Sequence, residues 1–533
     1  MTTHYSSPFK VKCTFPHYKC LITLFGILCL GSSPLRAWVS DNGDGTYTNP
    51  PLNADYPDPD IIRVGEDFYF ASTTFVNVPG LTILHSKDLV NWEIVSHVVQ
   101  RLDGDEKYDM INGTAYRKGI YAPSLRYHNG TFYVVVTPVG QNTRIYHTRA
   151  IEGPWKYYEL DRDAFDPGFF IDDDGIGYIA TSGGWDGTVT LLTLNKDYSK
   201  IVDSKEIFYN EGAEGSKIIK RGGWYYMFHS IPSKLALTCS RSKDLFGKWE
   251  TVPQINDRTG GHQGALVDLP DGSDYGFVMM DAGSIGRITQ ISPMFWENDW
   301  PVWGTPDAPG IVPSIAEKPI QDKEICQPGT TDNFDSETLA LQWQWNHNPD
   351  NSKWSLSKRP GFLRLEPTQA EDFWTAKNTL IQKGQSPLSV GVVKLDISHL
   401  APGDICGFGS LGKINGSIAI NCDAESKRTL SMQVINAEVD SLTMVKNVPV
   451  HGDEIYLKMK LDFASNKGTC SYSYDSIKWN DLGETFEIAY DWRTGTFQGE
   501  QFAIFCYNPN PGDGYLDIDF FNFSSEETTA DNK

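Results

Sequence analysis

Apolar and polar positions follow one pattern through the first three hundred residues, and it returns five times: a turn holding Gly, Asn or Asp, then aromatics, then a short apolar strand. The copies are VGEDFYFAST (64–73), HNGTFYVVVT (128–137), DDDGIGYIATS (172–182), KRGGWYYMFHS (220–230) and PDGSDYGFVMM (270–280). Beyond the first gap they recur roughly every fifty residues, the spacing of β-propeller blades. A second motif puts a Trp after a polar turn, in HSKDLVNWE (85–93), HTRAIEGPWK (147–156) and SRSKDLFGKWE (240–250), as expected of the turn into an outer strand. A β-sandwich array also repeats, but two interleaved motifs in constant phase favour blades.

From Asp332 the texture changes to period-two strands: VGVVKLDISHL (390–400), GSIAINCD (416–423), LSMQVINAEV (430–439), IYLKMKLDF (455–463), FAIFCYN (502–508) and YLDIDFFNF (515–523). Several such strands separated by turns predict a two-sheet sandwich. The chain is therefore expected to be all-β, a five-bladed propeller over 41–305 followed by a sandwich over 332–525. Residues 306–331, rich in Pro and Gly and without period, read as the linker, and 526–533 as a polar tail.

Composition agrees with many turns and little helix: charged residues make up 21%, aromatics 13%, with 48 Gly and 30 Pro in 533 residues. A net charge of −22 excludes nucleic acid and anionic membranes as partners, since both need a basic face. Lys10, Lys12 and Lys19 precede an apolar run over 20–30, and small and turn residues lead to Ala37. This is the form of a secretory signal over 1–37, too short to stay as a membrane span. The protein is thus expected to be secreted, to the periplasm, cell surface or medium, and not to be an integral membrane protein. The six cysteines after the signal lack zinc spacing and read as buried thiols, with room for one disulfide in the C-terminal half.

The chemistry lies eleven or twelve residues before each repeat's tyrosine (Tyr69, Tyr133, Tyr178, Tyr225, Tyr275), at Asp58, Ala122, Asp166, Glu214 and Gln263. In a propeller these are equivalent points on the innermost strands, so three acids face one another around the axis. Glycoside hydrolysis needs two carboxyls of different acidity, one ionised and one holding a proton for the leaving oxygen. A third carboxylate nearby raises the acid's pKa by like-charge repulsion. Asp55, Asp60, Asp172, Asp173 and Asp174 do not share the position and read as turn or cap residues.

At these residues the chain resembles glycoside hydrolase family 43, in YPDPDIIRVGEDFYFAST, FDPGFFIDDDG, AEGSKIIKRGGWYYM, SKDLVNW and GRITQISPMFWENDWPVWG. The region after the linker resembles the concanavalin-like sandwich, a jelly roll, of the family's β-xylosidases. The resemblance implies an inverting glycosidase with Asp58 as general base, Asp166 as pKa modulator and Glu214 as general acid. It makes Arg287 a sugar contact and places His262 near the axis, where relatives hold a hydrated cation such as calcium; a satisfied core histidine is the competing reading. The hydrolysis itself requires no cofactor. Phe75, Tyr121 and Trp185 are candidate sugar-stacking aromatics. FVNVPG (75–80) stands where such β-xylosidases carry Phe-Glu-Trp-Phe-Pro-Gly, and Glu214 is followed by Gly-Ser-Lys instead of Gly-Pro-His.

Those departures leave α-L-arabinofuranose and β-D-xylose both open as the terminal sugar removed from xylan, arabinan or their oligosaccharides. In the resembling enzymes a sandwich loop closes the pocket, which implies exo action, and 402–412 is the candidate lid. Trp343, Trp345 and Trp374 read as sandwich core or interdomain contacts rather than a sugar-binding face. Rival readings are a non-catalytic glycan-binding propeller, an endo-arabinanase and an exo-galactosidase. A fructan hydrolase is disfavoured by Pro-Asp-Pro-Asp at the opening. Oligomeric state is not legible.

Overall fold

The strands bury alternate residues wherever one face meets a core, as in Leu388–Asp396 and Glu454–Asp462, where every second side chain is buried. The computed structural model describes residues 37–183, 186–252, 261–436, 441–510 and 512–525. The signal up to residue 36, Trp185 and the tail over 526–533 lie outside the described residues.

Five antiparallel sheets form the blades. Their innermost strands are Asp60–Val64, Ser124–His128, Gly168–Ile171, Glu214–Arg221 and His262–Asp268. Each touches the next, and the fifth touches the first, so the ring closes on itself. The repeated aromatic motif is the second strand of each blade, beginning with Asp67–Ser72 and ending with Asp274–Asp281. The second motif also falls as read: Trp92 opens the outer strand of the first blade, and Trp155 and Trp249 immediately precede those of the second and fourth.

Two further sheets make the sandwich. The nine-stranded sheet runs through Arg428–Asn436, Ile414–Cys422, Ile405–Leu411, Gln501–Asn508, Leu380–Lys383 and Gln344–Asn346. The eight-stranded sheet runs through Leu363–Leu365, Leu516–Ser524, Leu388–Asp396, Glu454–Asp462 and Lys467–Ser473. Phe408, Phe502 and Phe521 interlock between them, with ring centroids 5.6–5.9 Å apart. Cys406 and Cys506 face each other across neighbouring strands and are joined by a disulfide.

The two parts share backbone as well as core. The short strand Asn77–Val78, a propeller segment, hydrogen-bonds to Gln344–Asn346 and so forms the edge of the nine-stranded sheet. Val76, Val78 and Leu81 pack in one cluster with Trp345, Phe408 and Phe502. Trp374 stacks on Tyr116 at 3.7 Å, and Trp343 and Trp345 are buried, so these three tryptophans serve core and interdomain packing. The segment read as linker is also tied down. Ala308–Pro309 extends the fifth blade and Ile315–Glu317 pairs with Thr46–Thr48, because its backbone finds partners that its side-chain pattern does not advertise.

Candidate active site

All five equivalent positions lie at one end of the innermost strands. Asp58, Ala122 and Asp166 precede their strands by two residues, Glu214 opens its strand, and Gln263 is second in its own. Asp58, Asp166 and Gln263 share a left-handed backbone (φ 54°, 43° and 53°), and in the fourth blade Gly215 takes that conformation (φ 59°). Side chains other than Gly visit this region at a cost and persist there when the surroundings hold them. The Gln263 side chain packs against Gly215, where a Cβ would lie 2.2 Å from Oε1.

The acids differ in proton affinity. Burial, and then the charge of Asp58, pushes Glu214 up to about 7, against the pull of Arg287. Asp166 is also raised well above the usual carboxylate range, by burial and then by Glu214 and Asp58, while Lys217 and Arg287 pull it back. The charge of Asp58 thus adds to burial in lifting Glu214. Asp166 and Glu214 take up protons as a linked pair.

Arg287 is buried, and its Nη1 donates to Asp58 Oδ1 at 3.1 Å. Its guanidinium lies over two rings, Phe497 at 4.6 Å and Phe75 at 5.3 Å. Nε and Nη2 are buried and have no hydrogen-bond partner among the described residues. Phe75 is completely buried, so it backs the arginine and presents no open face to a sugar. Tyr121 meets Phe75 edge-on at 5.4 Å and spends its hydroxyl on the Arg117 carbonyl, leaving its half-buried ring as the contact surface.

Phe497, which sequence reasoning missed, comes from the sandwich, in the loop TGTFQGE (494–500). It packs on Phe75 at 4.8 Å and on Tyr121 at 5.8 Å, and Gln498 Nε2 reaches the Thr74 carbonyl at 3.4 Å. This loop covers Arg287, the hydrogen-bond partner of Asp58. The candidate lid at 402–412 does not, since Ile405–Leu411 is an interior strand of the nine-stranded sheet. Asn77 and Val78 likewise serve the sandwich edge; Asn77 Nδ2 donates to Gln501 Oε1 at 3.2 Å. A two-residue strand and a short glycine-flanked loop carry no periodic signal that marks either role.

Two further aspartates depart from the turn reading. Asp60 Oδ2 accepts from Ser124 Oγ, the Leu125 N–H and Arg126 Nη1 at 2.8–2.9 Å, and Oδ1 lies 3.9 Å from Nζ of the buried Lys217. Asp55 is buried and accepts the N–H groups of Arg287 and Gly499. Asp172 bridges blades, accepting from Lys220 and Tyr225, while Asp174 caps its turn through the Ile176 N–H.

His262 Nδ1 lies 3.1 Å from Ser230 Oγ, and Nε2 is 3.7 Å from Asp281 Oδ1 without a hydrogen-bond partner among the described residues. No group of three or more His, Cys, Asp or Glu among the described residues is arranged to hold a metal ion. One orphaned imidazole nitrogen is not a chelating set, so a resident calcium does not fit these residues alone.

A family model described as glycosyl hydrolases family 43 matches residues 47–301, and a β-xylosidase C-terminal concanavalin A-like domain matches 331–524. A β-xylosidase of Formosa agariphila is 29% identical over 92% of this chain and 93% of its own. A non-reducing-end α-L-arabinofuranosidase of Bacteroides ovatus is 31% identical over 61% of this chain and 65% of its own. A bifunctional GH43-CE structure from Bacteroides eggerthii matches with a TM-score of 0.84 at 32% identity, covering 90% of this chain and 64% of that longer one.

Proposed function

The chain belongs to glycosyl hydrolase family 43 and is a glycosidase, and from that premise we propose that it is an exo-acting, inverting enzyme. It removes a terminal pentose, α-L-arabinofuranose or β-D-xylose, from plant cell-wall oligo- or polysaccharides. The observation that carries this reading is Glu214, a carboxyl raised to about 7 at the same strand end as Asp58, whose carboxylate is clasped by Arg287. An acid that keeps its proton near neutrality beside a carboxylate that accepts one is the pair that acetal hydrolysis uses.

In the proposed reaction Asp58 takes a proton from water, whose oxygen attacks the anomeric carbon. The bond to the leaving oxygen breaks as Glu214 protonates it, and the sugar departs with inverted configuration. Inversion needs room for that water, a carboxyl separation of about 6.5–9.5 Å. Asp166 tunes the proton affinity of Glu214. Arg287 offers Nε and Nη2 to sugar hydroxyls, and a sandwich loop that covers its guanidinium beside Asp58 supports exo action. The basic and apolar N-terminal stretch supports export from the cytoplasm.

The test is hydrolysis of paired aryl glycosides, α-L-arabinofuranoside and β-D-xylopyranoside, by wild type and Asp58→Ala. Cleavage of either, lost in the variant, is the expected result and ranks the sugars. Folded wild-type protein that cleaves neither overturns the pentosidase reading.

A further inference from the structure

Three stretches of backbone meet beside the acid cluster, and one side chain touches two of them. Asp55 Oδ1 accepts the Arg287 N–H at 2.7 Å, and Oδ2 accepts the Gly499 N–H at 3.2 Å. The approach is close enough to require glycine twice. A Cβ at Gly499 would lie 1.8 Å from the Ile285 carbonyl oxygen, and one at Gly286, where φ is 98°, would lie 2.3 Å from Asp55 Oδ1. On the next residue Glu500 N–H donates to the Ser284 carbonyl at 2.9 Å, so the loop and the 284–287 turn run hand in hand. The Nζ of Lys383, from the sandwich, is also buried here, over the Tyr56 ring at 5.2 Å; burial holds the Asp55 carboxyl above the usual range, and the charges of Lys383 and Arg287 pull it part of the way back.

The two groups that Asp55 fixes have different jobs at one sugar. Arg287 holds the Asp58 carboxylate and keeps two donors unpartnered; Phe497, two residues before Gly499, covers that guanidinium from the sandwich side. We propose that Asp55 is a positioning residue: its two carboxylate oxygens lock the sandwich loop carrying Phe497 to the strand start carrying Arg287, so that the pocket for the terminal sugar forms only with both in place. This rests on the pentosidase reading for the identity of the sugar, but the lock itself is a property of the free protein.

Asp55→Asn keeps the shape and leaves one acceptor oxygen, so one of the two N–H bonds is lost; Asp55→Ala loses both. Loss of a buried hydrogen bond to a charged group corresponds to about tenfold or more in an equilibrium. Hydrogen exchange on the full-length proteins reads the lock without substrate. Peptides over 494–500 should exchange about tenfold faster in the Asn variant and faster still in the Ala variant, with Glu454–Asp462 unchanged. On whichever aryl pentoside the wild type cleaves, KM should rise about tenfold while kcat falls less than about threefold, since the acids stay in place.

Unchanged exchange over 494–500, or acceleration spread evenly over the chain, overturns the proposal; so does a loss of kcat at unchanged KM. If one variant does not fold, the other decides. A wild type that cleaves neither glycoside refutes the sugar assignment alone, and the exchange experiment still decides the lock.

Discussion

The three acids at the strand ends carry the proposed chemistry, and Glu214 and Asp166 are both raised above the usual carboxylate range. Glu214→Gln should fold and lose about 10²–10⁴-fold in kcat on a poorly activated substrate, where the leaving oxygen needs its proton; a folded variant with wild-type turnover removes Glu214 as the acid. Activity should fall as pH rises through about 7, because Glu214 gives up its proton there. Asp166→Asn should move that limb to lower pH, since one of the two linked carboxyls is gone. The same shift has a stability sign. The folded-state pKa of Glu214 lies above its unfolded value, so its contribution is most favourable at acid pH and is lost as pH rises towards and through about 7. Glu214→Gln should therefore raise Tm relative to wild type more at pH 8 than at pH 5, and melting curves at the two pH values check it. The shared position of Asp58, Asp166 and Glu214 was legible in the sequence because a repeat places them in register. Phe497 and Asp55 were not, because each acts on residues hundreds of positions away and neither belongs to a repeat.

At the scale of strands, the ring of blades is stapled near its axis by a single carboxylate. Asp60, on the first blade, receives Ser124, Leu125 and Arg126 of the second and faces Lys217 of the fourth, and Ser124 Oγ in turn accepts the Phe169 N–H of the third. Removing one partner of a buried ionic network leaves charges uncompensated and typically costs about 3–5 kcal/mol. Asp60→Ala should lower the urea midpoint accordingly, and Asp60→Ala with Lys217→Met should recover part of the loss; a recovery of nothing would argue that Lys217 is satisfied elsewhere. Strand positions were the most legible level: the period-two runs fall within a few residues of Leu388–Asp396, Glu454–Asp462 and Gln501–Asn508. The supposed lid at 402–412 failed because a glycine-rich strand such as ICGFGSL has the composition of a loop. Asp60 was misread for a related reason: burial and partner count are tertiary facts that an Asp after Pro does not announce.

At the scale of the molecule, propeller and sandwich share a sheet edge, a hydrophobic cluster and the packing of Phe497 on Phe75. Domains joined so extensively should unfold together. Calorimetry of the protein should give one cooperative transition; two well-separated transitions would show that the shared contacts do not couple the halves. That both folds are present was legible from two textures of repeat, whereas their docking was not, since Asn77–Val78 is too short to show a period. The order in which the chain is made gives that docking a further meaning. Val78 is synthesised long before its partner Trp345, and Phe497 and Gly499 follow later still. A nascent chain can have every acid of the propeller in place and still lack the Phe497 ring over Arg287. On the reading proposed above, the enzyme gains its selectivity for a chain end only when synthesis has passed the sandwich loop.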